Sequence, residues 1–221
     1  SFNWISKTPG TFDDVPFFSS MIDAIASNYQ IDQNRIYACG YSLGGDMTFE
    51  LGCKLNNRIA AIAPVARTMQ ANPSSFCSPM HPTGVLTILG TDDLVSPYNG
   101  IVFAGIEYYI SAAATHSYWA TQNNCNPTAT MTTVSPSVER YTWSTPSGCA
   151  YVEELKVLGG GHDWPGSFGN MTIDSDSEIW RFVSRYDING LIGCSTTSIN
   201  ENNGQTDNFK VFPNPFKQEL T

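Results

Sequence analysis

Two hydropathy rhythms alternate along this chain, one of about 3.6 residues and one of short, nearly unbroken apolar runs. Residues 14–28 set Phe17, Met21, Ile22 and Ile25 on one side of a helical period, with Asp14 placed to cap the segment and Pro16 tolerated in its first turn. Polar residues 31–35 turn the chain into a short apolar run that ends near residue 41, and a helical segment over 45–55 comes next. The near-continuous apolar run 59–65 is of the kind buried on both faces in a parallel sheet. Next come a loop holding Cys77, a second buried run at 84–90, a helix over 111–122 and a strand or hairpin arm at 138–144. An alternating strand over 152–158 precedes a closing amphipathic helix at 176–186 that turns Ile179, Phe182 and Val183 inward. Strands that alternate with helices predict an α/β protein with a doubly wound, mostly parallel sheet.

Composition narrows the partners. The 221 residues are 41% hydrophobic, enough for one good core, and nothing in the pattern asks for two. A net charge of −9 argues against nucleic acid, an anionic membrane surface or a polyanionic substrate. Charged residues make up only 14%, while Asn, Ser, Thr and Gly abound, which suits an extracellular protein. Six cysteines fit that setting, and their spacing lacks the C-x-x-C pattern of a zinc site, so no metal is expected. No apolar run is long enough to span a bilayer.

Candidate chemistry sits where apolar runs end. The run into Gly40-Tyr41-Ser42-Leu43-Gly44 passes straight into a helical segment, the pattern of a nucleophile elbow in which a serine is held at a strained strand-to-helix corner. A Cβ at Gly40 or Gly44 is expected to collide with neighbouring backbone. The Leu43 amide, at the start of the helix, is expected to donate to a developing oxyanion. By itself Gly-x-Ser-x-Gly could be an ordinary glycine-rich turn. A serine nucleophile also needs a base and an orienting acid, in the order Ser, Asp, His, each just after a strand. Run 84–90 ends in Thr91-Asp92-Asp93, and run 152–158 ends in Gly159-Gly160-Gly161-His162. Loop length alone leaves Asp92 and Asp93 both open as the acid. His81, in a His-Pro turn, and His116, within a helix-like stretch, have no such setting. Trp164, held beside His162 by Pro165, is expected to line the mouth of the site or to wedge the loop, and Tyr41 beside the serine is a further candidate substrate contact.

Several strings together resemble the polyhydroxybutyrate depolymerase and feruloyl esterase-like family of α/β-hydrolases. They are Asp13-Asp14-Val15-Pro16, Gly40-Tyr41-Ser42-Leu43-Gly44-Gly45, Ile62-Ala63-Pro64-Val65, Gly90-Thr91-Asp92-Asp93 with Pro97-Tyr98, and Gly159-Gly160-Gly161-His162-Asp163-Trp164-Pro165-Gly166. Asn124-Cys125 and Ser147-Gly148-Cys149 complete the set. The resemblance implies Ser42 as nucleophile, Asp93 rather than Asp92 as acid, His162 as base, no cofactor, and a bridge between Cys125 and Cys149. It implies esters as substrates, either short polyester chains or the feruloyl and acetyl esters of plant polysaccharide. The family often has Asn where this chain has Leu43, and a small or apolar residue in place of Asp46. Cys39 is expected to be a core thiol, while Cys53, Cys77 and Cys194 cannot be paired from sequence.

Set against the usual α/β-hydrolase plan, residues 1–194 supply the helix before the elbow strand, the strand itself and the elements after it. The first strands, and a second oxyanion donor, are expected upstream of Ser1. Residues 195–208 read as a polar linker, and Phe209-Lys210-Val211-Phe212-Pro213-Asn214-Pro215 resembles the start of a type IX secretion C-terminal sorting domain. Together with the cysteines this suggests a secreted or cell-surface serine esterase. A serine peptidase of the same fold and a non-catalytic polymer-binding surface domain are the rival readings.

Overall fold

A computed structural model describes residues 13–194, so the 195–208 linker and the sorting-domain resemblance at 209–221 lie outside the described residues. The element order is α1 (Asp14–Asn28), β1 (Tyr37–Tyr41), α2 (Leu43–Lys54), β2 (Ala61–Val65), β3 (Gly84–Gly90), β4 (Ile101–Phe103), β5 (Ile106–Tyr109), α3 (Ala112–Gln122), β6 (Thr130–Ser135), β7 (Val138–Ser144), β8 (Ala150–Val157), α4 (Ser175–Val183), β9 (Tyr186–Asp187) and β10 (Gly190–Leu191). Six strands form one sheet in the order β1-β2-β3-β8-β7-β6. The first four run parallel, and β7 and β6 add an antiparallel edge.

Strand alternation divides the core into two layers. Ile62, Val85 and Val152 point toward α1, α2 and α3, where they pack with Met47, Phe49, Leu51 and Trp119. Leu86, Ile88, Tyr151 and Leu155 point the other way, onto Ile179, Phe182 and Val183 of α4 and onto Tyr186. The predicted α/β-hydrolase-type sheet with helices on both faces is therefore what the chain forms. At the other edge, β1 pairs with β2 alone among the described residues. Beside it α1, β1 and α2 enclose a cavity of about 390 Å³ lined by Phe18, Met21, Ile22, Ala38, Met47 and Leu51.

Details depart from expectation. Asp13, not Asp14, caps α1, accepting from the Val15 amide at 3.0 Å. Ile22 of that helix is buried, whereas Phe17, Met21 and Ile25 are exposed, because the helix packs at the open edge of the sheet. Two hairpins were not foreseen as such, β4–β5 and the β6 partner of β7.

The cysteine expectation is corrected. Cys53 bridges Cys77, and Cys149 bridges Cys194, so Cys125 remains a thiol and the Cys125–Cys149 pairing does not form. The reason is the short β9–β10 ribbon after α4. It docks on β8 through the Leu191 amide, which donates to Tyr151 Oη at 3.3 Å, and so delivers Cys194 to the start of β8. Burial pushes the Cys125 thiol up to about 11, which keeps it protonated and unreactive. Cys39 is exposed on the edge strand rather than in the core.

Two consecutive acids of β8 are buried on opposite faces. Glu153, on the α4 side, accepts from Arg181 and Arg185, each at 2.6 Å. Glu154, on the α3 side, accepts from Tyr98 Oη at 2.6 Å, and its second oxygen lies 3.6 Å from His116 Nδ1. Burial lifts Glu154 from 4.5 to about 7 and lowers His116 from 6.5 to about 3.

These contacts can be tested by stability measurements. Replacing Cys194 by Ser opens a crosslink spanning 45 residues and should lower stability by about 2–4 kcal/mol in chemical denaturation, with non-reducing peptide mapping of the wild type recovering Cys39 and Cys125 as the alkylatable thiols. For Glu154 the folded protein keeps a proton that the unfolded chain has released between about pH 4.5 and 7. Stability is thus lost as pH rises through that window, and the loss is complete above it. His116 acts in the opposite sense, costing stability as pH falls from 6.5 toward 3. Glu154→Gln removes only the first effect, so the variant's stability relative to wild type should climb between pH 4 and pH 8 by up to about 3 kcal/mol in urea titrations.

Candidate active site

The serine sits where β1 gives way to α2, and its backbone is held in a rare conformation. Ser42 has φ 55 and ψ −115, strained for a residue with a side chain. Its amide donates to the Val65 carbonyl at 3.0 Å, and its own carbonyl accepts from Gly45 and Asp46 at 2.8 and 3.2 Å, so the corner is fixed from both sides. Leu43 opens α2 with its side chain 44% exposed, and its amide belongs to the helix's first turn, where N–H groups lack intrahelical acceptors. The two glycines turn out to differ. A Cβ on Gly40 would overlap the Gly44 carbonyl, whereas a Cβ on Gly44 would meet nothing within 4 Å, so the expected collision holds for Gly40 and is corrected for Gly44.

Three strand ends bring the chemistry together. His162 Nε2 lies 2.9 Å from Ser42 Oγ, and His162 Nδ1 lies 2.7 Å from Asp93 Oδ2. Asp93 is 3% exposed, and its other oxygen accepts from the amides of Val95 and Ser96 at 2.8 and 2.7 Å. These bonds fix the carboxylate's orientation, and with Oδ2 placed to accept from Nδ1–H, Nε2 is the nitrogen left to accept from the serine hydroxyl. Asp92 is turned to other partners. Its carboxylate accepts from Thr91 Oγ1 at 3.0 Å, and its amide donates to the Gly160 carbonyl at 2.9 Å.

Tyr41 and Trp164 stand behind the histidine. Tyr41 Oη donates to the His162 carbonyl at 2.8 Å, and the two rings are 4.9 Å apart. Trp164 meets the Tyr41 ring edge-on at 6.4 Å, and its Nε1 donates to Asp176 Oδ1 at 3.0 Å, while Phe168 closes on Tyr41 at 5.5 Å. These contacts buttress the His162 loop. His81 is held by Asn56, and His116 meets Thr87 Oγ1 at 2.8 Å, both away from the triad.

A charged cluster beneath the elbow was not foreseen. Arg67, two residues past the end of β2, donates to Asp46 Oδ2 at 2.7 Å and to the Tyr109 hydroxyl, and its guanidinium lies 3.9 Å over the Tyr109 ring. Tyr109 in turn donates to Asp46 at 3.0 Å, and burial together with the Asp46 charge pushes its hydroxyl up to about 12. Asp46, one of the two residues that depart from the resembled family, is thereby paired, and the β4–β5 hairpin is pinned to the first turn of α2. The signal in the sequence was the pairing of an unusual acid with an arginine at the end of an apolar run.

Among the described residues there is no cluster of three or more His, Cys, Asp or Glu that could hold a metal, and no helix is long and apolar enough to cross a membrane.

Comparison with known proteins points the same way. No family model matches the chain. It is 31% identical over 183 residues to feruloyl esterase B of Piromyces equi, covering 80% of this chain and 32% of that protein. It is 28% identical over 207 residues to a bifunctional acetylxylan esterase/xylanase of Neocallimastix patriciarum, covering 88% of this chain and 28% of that protein. The chain thus spans about a third of the length of these curated relatives. Among solved structures, an acetyl xylan esterase from Aspergillus awamori matches with a TM-score of 0.52 at 13% identity, over 78% of this chain and 67% of that one. At that identity the likeness shows the fold alone, an α/β-hydrolase-like fold.

The two elbow glycines separate cleanly by experiment. Gly40→Ala should cost at least about 2–4 kcal/mol because the carbonyl it strikes is fixed in a helix turn, whereas Gly44→Ala should leave stability unchanged or raise it by up to about 1 kcal/mol. Thermal and urea denaturation of the two variants checks this.

Proposed function

We propose that residues 1–194 carry the catalytic centre of a serine esterase that hydrolyses carboxylic esters, with feruloyl or acetyl esters of plant polysaccharide as the substrate class. The observation that carries this reading is the relay from Ser42 through His162 to Asp93, at 2.9 and 2.7 Å. Sequence likeness to a feruloyl esterase and an acetylxylan esterase favours those esters over a polyester chain. The two disulfides favour an oxidising, extracellular setting.

In this mechanism Ser42 Oγ attacks the ester carbonyl while His162 Nε2 takes its proton. Asp93 holds the imidazole in place and stabilises the imidazolium. The oxyanion of the tetrahedral intermediate faces the Leu43 amide at the start of α2. As the intermediate collapses, the C–O bond to the alcohol breaks, and His162 returns the proton to the departing oxygen. Water, deprotonated by the same nitrogen, then attacks the acyl-serine and frees the acid. The cycle requires neither metal nor cofactor.

Measured on the intact protein with methyl ferulate and acetylated xylan, Ser42→Ala or His162→Ala should lower kcat by roughly 10⁵–10⁶ and Asp93→Ala by about 10⁴. Asp92→Ala should stay within about tenfold. Wild-type rates in all four variants, or a larger loss at Asp92 than at Asp93, would overturn the assignment.

A further inference from the structure

The loop that carries Asp93 is tied to the His162 strand at both ends. At its start the Thr91 amide donates to the Val157 carbonyl at 3.0 Å, the Asp92 amide to the Gly160 carbonyl at 2.9 Å, and the Gly159 amide to Thr91 Oγ1 at 2.8 Å. At its far end Tyr98 Oη donates to Glu154 Oε1 at 2.6 Å. Asp93 hangs between these ties, and β8, which bears Glu154, runs directly into the loop bearing His162. The far tie is therefore a second point of attachment between the segments that carry Asp93 and His162.

Glu154 is an expensive residue to place there. It is 3% exposed in a layer of valines and aromatic rings, where an ionised carboxylate needs strong compensation. Around it stand His116, kept neutral by burial, with Nδ1 3.6 Å from Oε2; Lys156, whose amine lies over the Tyr98 and Tyr141 rings at 5.3 and 5.8 Å; and Glu139 and Tyr141 of β7. The hydrogen bond that reaches its carboxylate is the one from Tyr98. A leucine would fill such a place at less cost if packing were all that was required.

We propose that Tyr98 and Glu154 are positioning residues for Asp93, their hydrogen bond holding the far end of the acid loop against β8 so that the Asp93 carboxylate stays in reach of His162 Nδ1. The tie is also sensitive to acidity. Above about pH 7 the ionised Glu154 accepts a short, charge-assisted bond, and below it the neutral acid accepts a weaker one. The hold on the acid loop should therefore loosen as Glu154 takes up its proton.

The inference rests on the serine-esterase reading of the same site, so the test uses one readout that does not depend on turnover. In the intact protein, Tyr98→Phe should broaden or shift the downfield proton resonance of the His162 Nδ1–H···Asp93 bond and lower kcat on p-nitrophenyl acetate roughly ten- to hundredfold, with KM changed less than about threefold. Glu154→Gln keeps an acceptor for Tyr98 but not its charge and should lower kcat only about two- to fivefold, whereas Glu154→Leu, which leaves Tyr98 without that acceptor, should match the loss seen in Tyr98→Phe. A Tyr98→Phe protein that is merely less heat-stable, with kcat and the resonance unchanged, would overturn the proposal. So would a Glu154→Leu protein with kcat and the resonance unchanged, which decides the matter should Tyr98→Phe not fold. If wild type neither turns over esters nor takes a fluorophosphonate label on Ser42, the esterase reading fails, and the resonance alone still decides whether the tie positions Asp93.

Discussion

The conformation of a single residue, Ser42 at φ 55 and ψ −115, is the constraint on which the rest of the site depends. Such a backbone costs of the order of 1–3 kcal/mol and persists only where its surroundings over-determine it. Here the amide is held by β2, the carbonyl caps the first turn of α2, and Gly40 lets the helix approach the strand. Strand, helix and serine therefore form one rigid corner, and the hydroxyl is presented beyond the ends of the strands. The His162 and Asp93 loops reach it because β8 and β3 are adjacent and parallel, so that their C-terminal ends share one side of the sheet.

Charge is used sparingly and close to function. With only 14% of residues charged, the buried ones stand out. Arg67, Asp46 and Tyr109 bind the β4–β5 hairpin to the elbow helix, and Glu153 joins β8 to α4 through Arg181 and Arg185. A buried pair of this kind gives little net stability, since desolvation offsets most of the Coulomb gain. It does fix geometry, because leaving either partner alone is costly. The elements fixed in this way are the ones that flank the relay.

The three turns that meet in the candidate site were legible in the sequence because each is local and punctuated: three apolar runs end in three short glycine- or acid-rich turns, and these carry Ser42, Asp93 and His162. The sheet was legible for the same reason, since runs such as 59–65 and 84–90 are apolar on both faces. The features that were missed depend on distant contacts or on turns without their usual residues. The β4–β5 turn puts Ala104 at φ 51 ahead of Gly105 at φ 78, a place where Asn or Asp normally advertises the hairpin. Disulfide partners are set by which loops dock together, and the ribbon that carries Cys194 to Cys149 has no pattern of its own. The exposed apolar side of α1 followed its period correctly, but period says nothing about what lies opposite.

The strand that carries the serine is closed by residues far along the chain. Tyr37 Oη donates to the Tyr186 carbonyl at 2.8 Å, Arg35 to the Ser184 carbonyl at 2.7 Å, and the Ile188 amide to the Asn34 carbonyl at 2.8 Å, two of these spanning 149 residues. Ser42 and His162 are themselves 120 residues apart. On a ribosome adding about 5–20 residues per second, the serine would emerge roughly 6–24 s before its histidine. Through that interval the elbow strand has neither of its closing tyrosine and arginine contacts, and long-range pairings of this kind form slowly even once the chain is complete. The nascent protein therefore cannot bring Ser42 and His162 together until the segment through the His162 loop has been made.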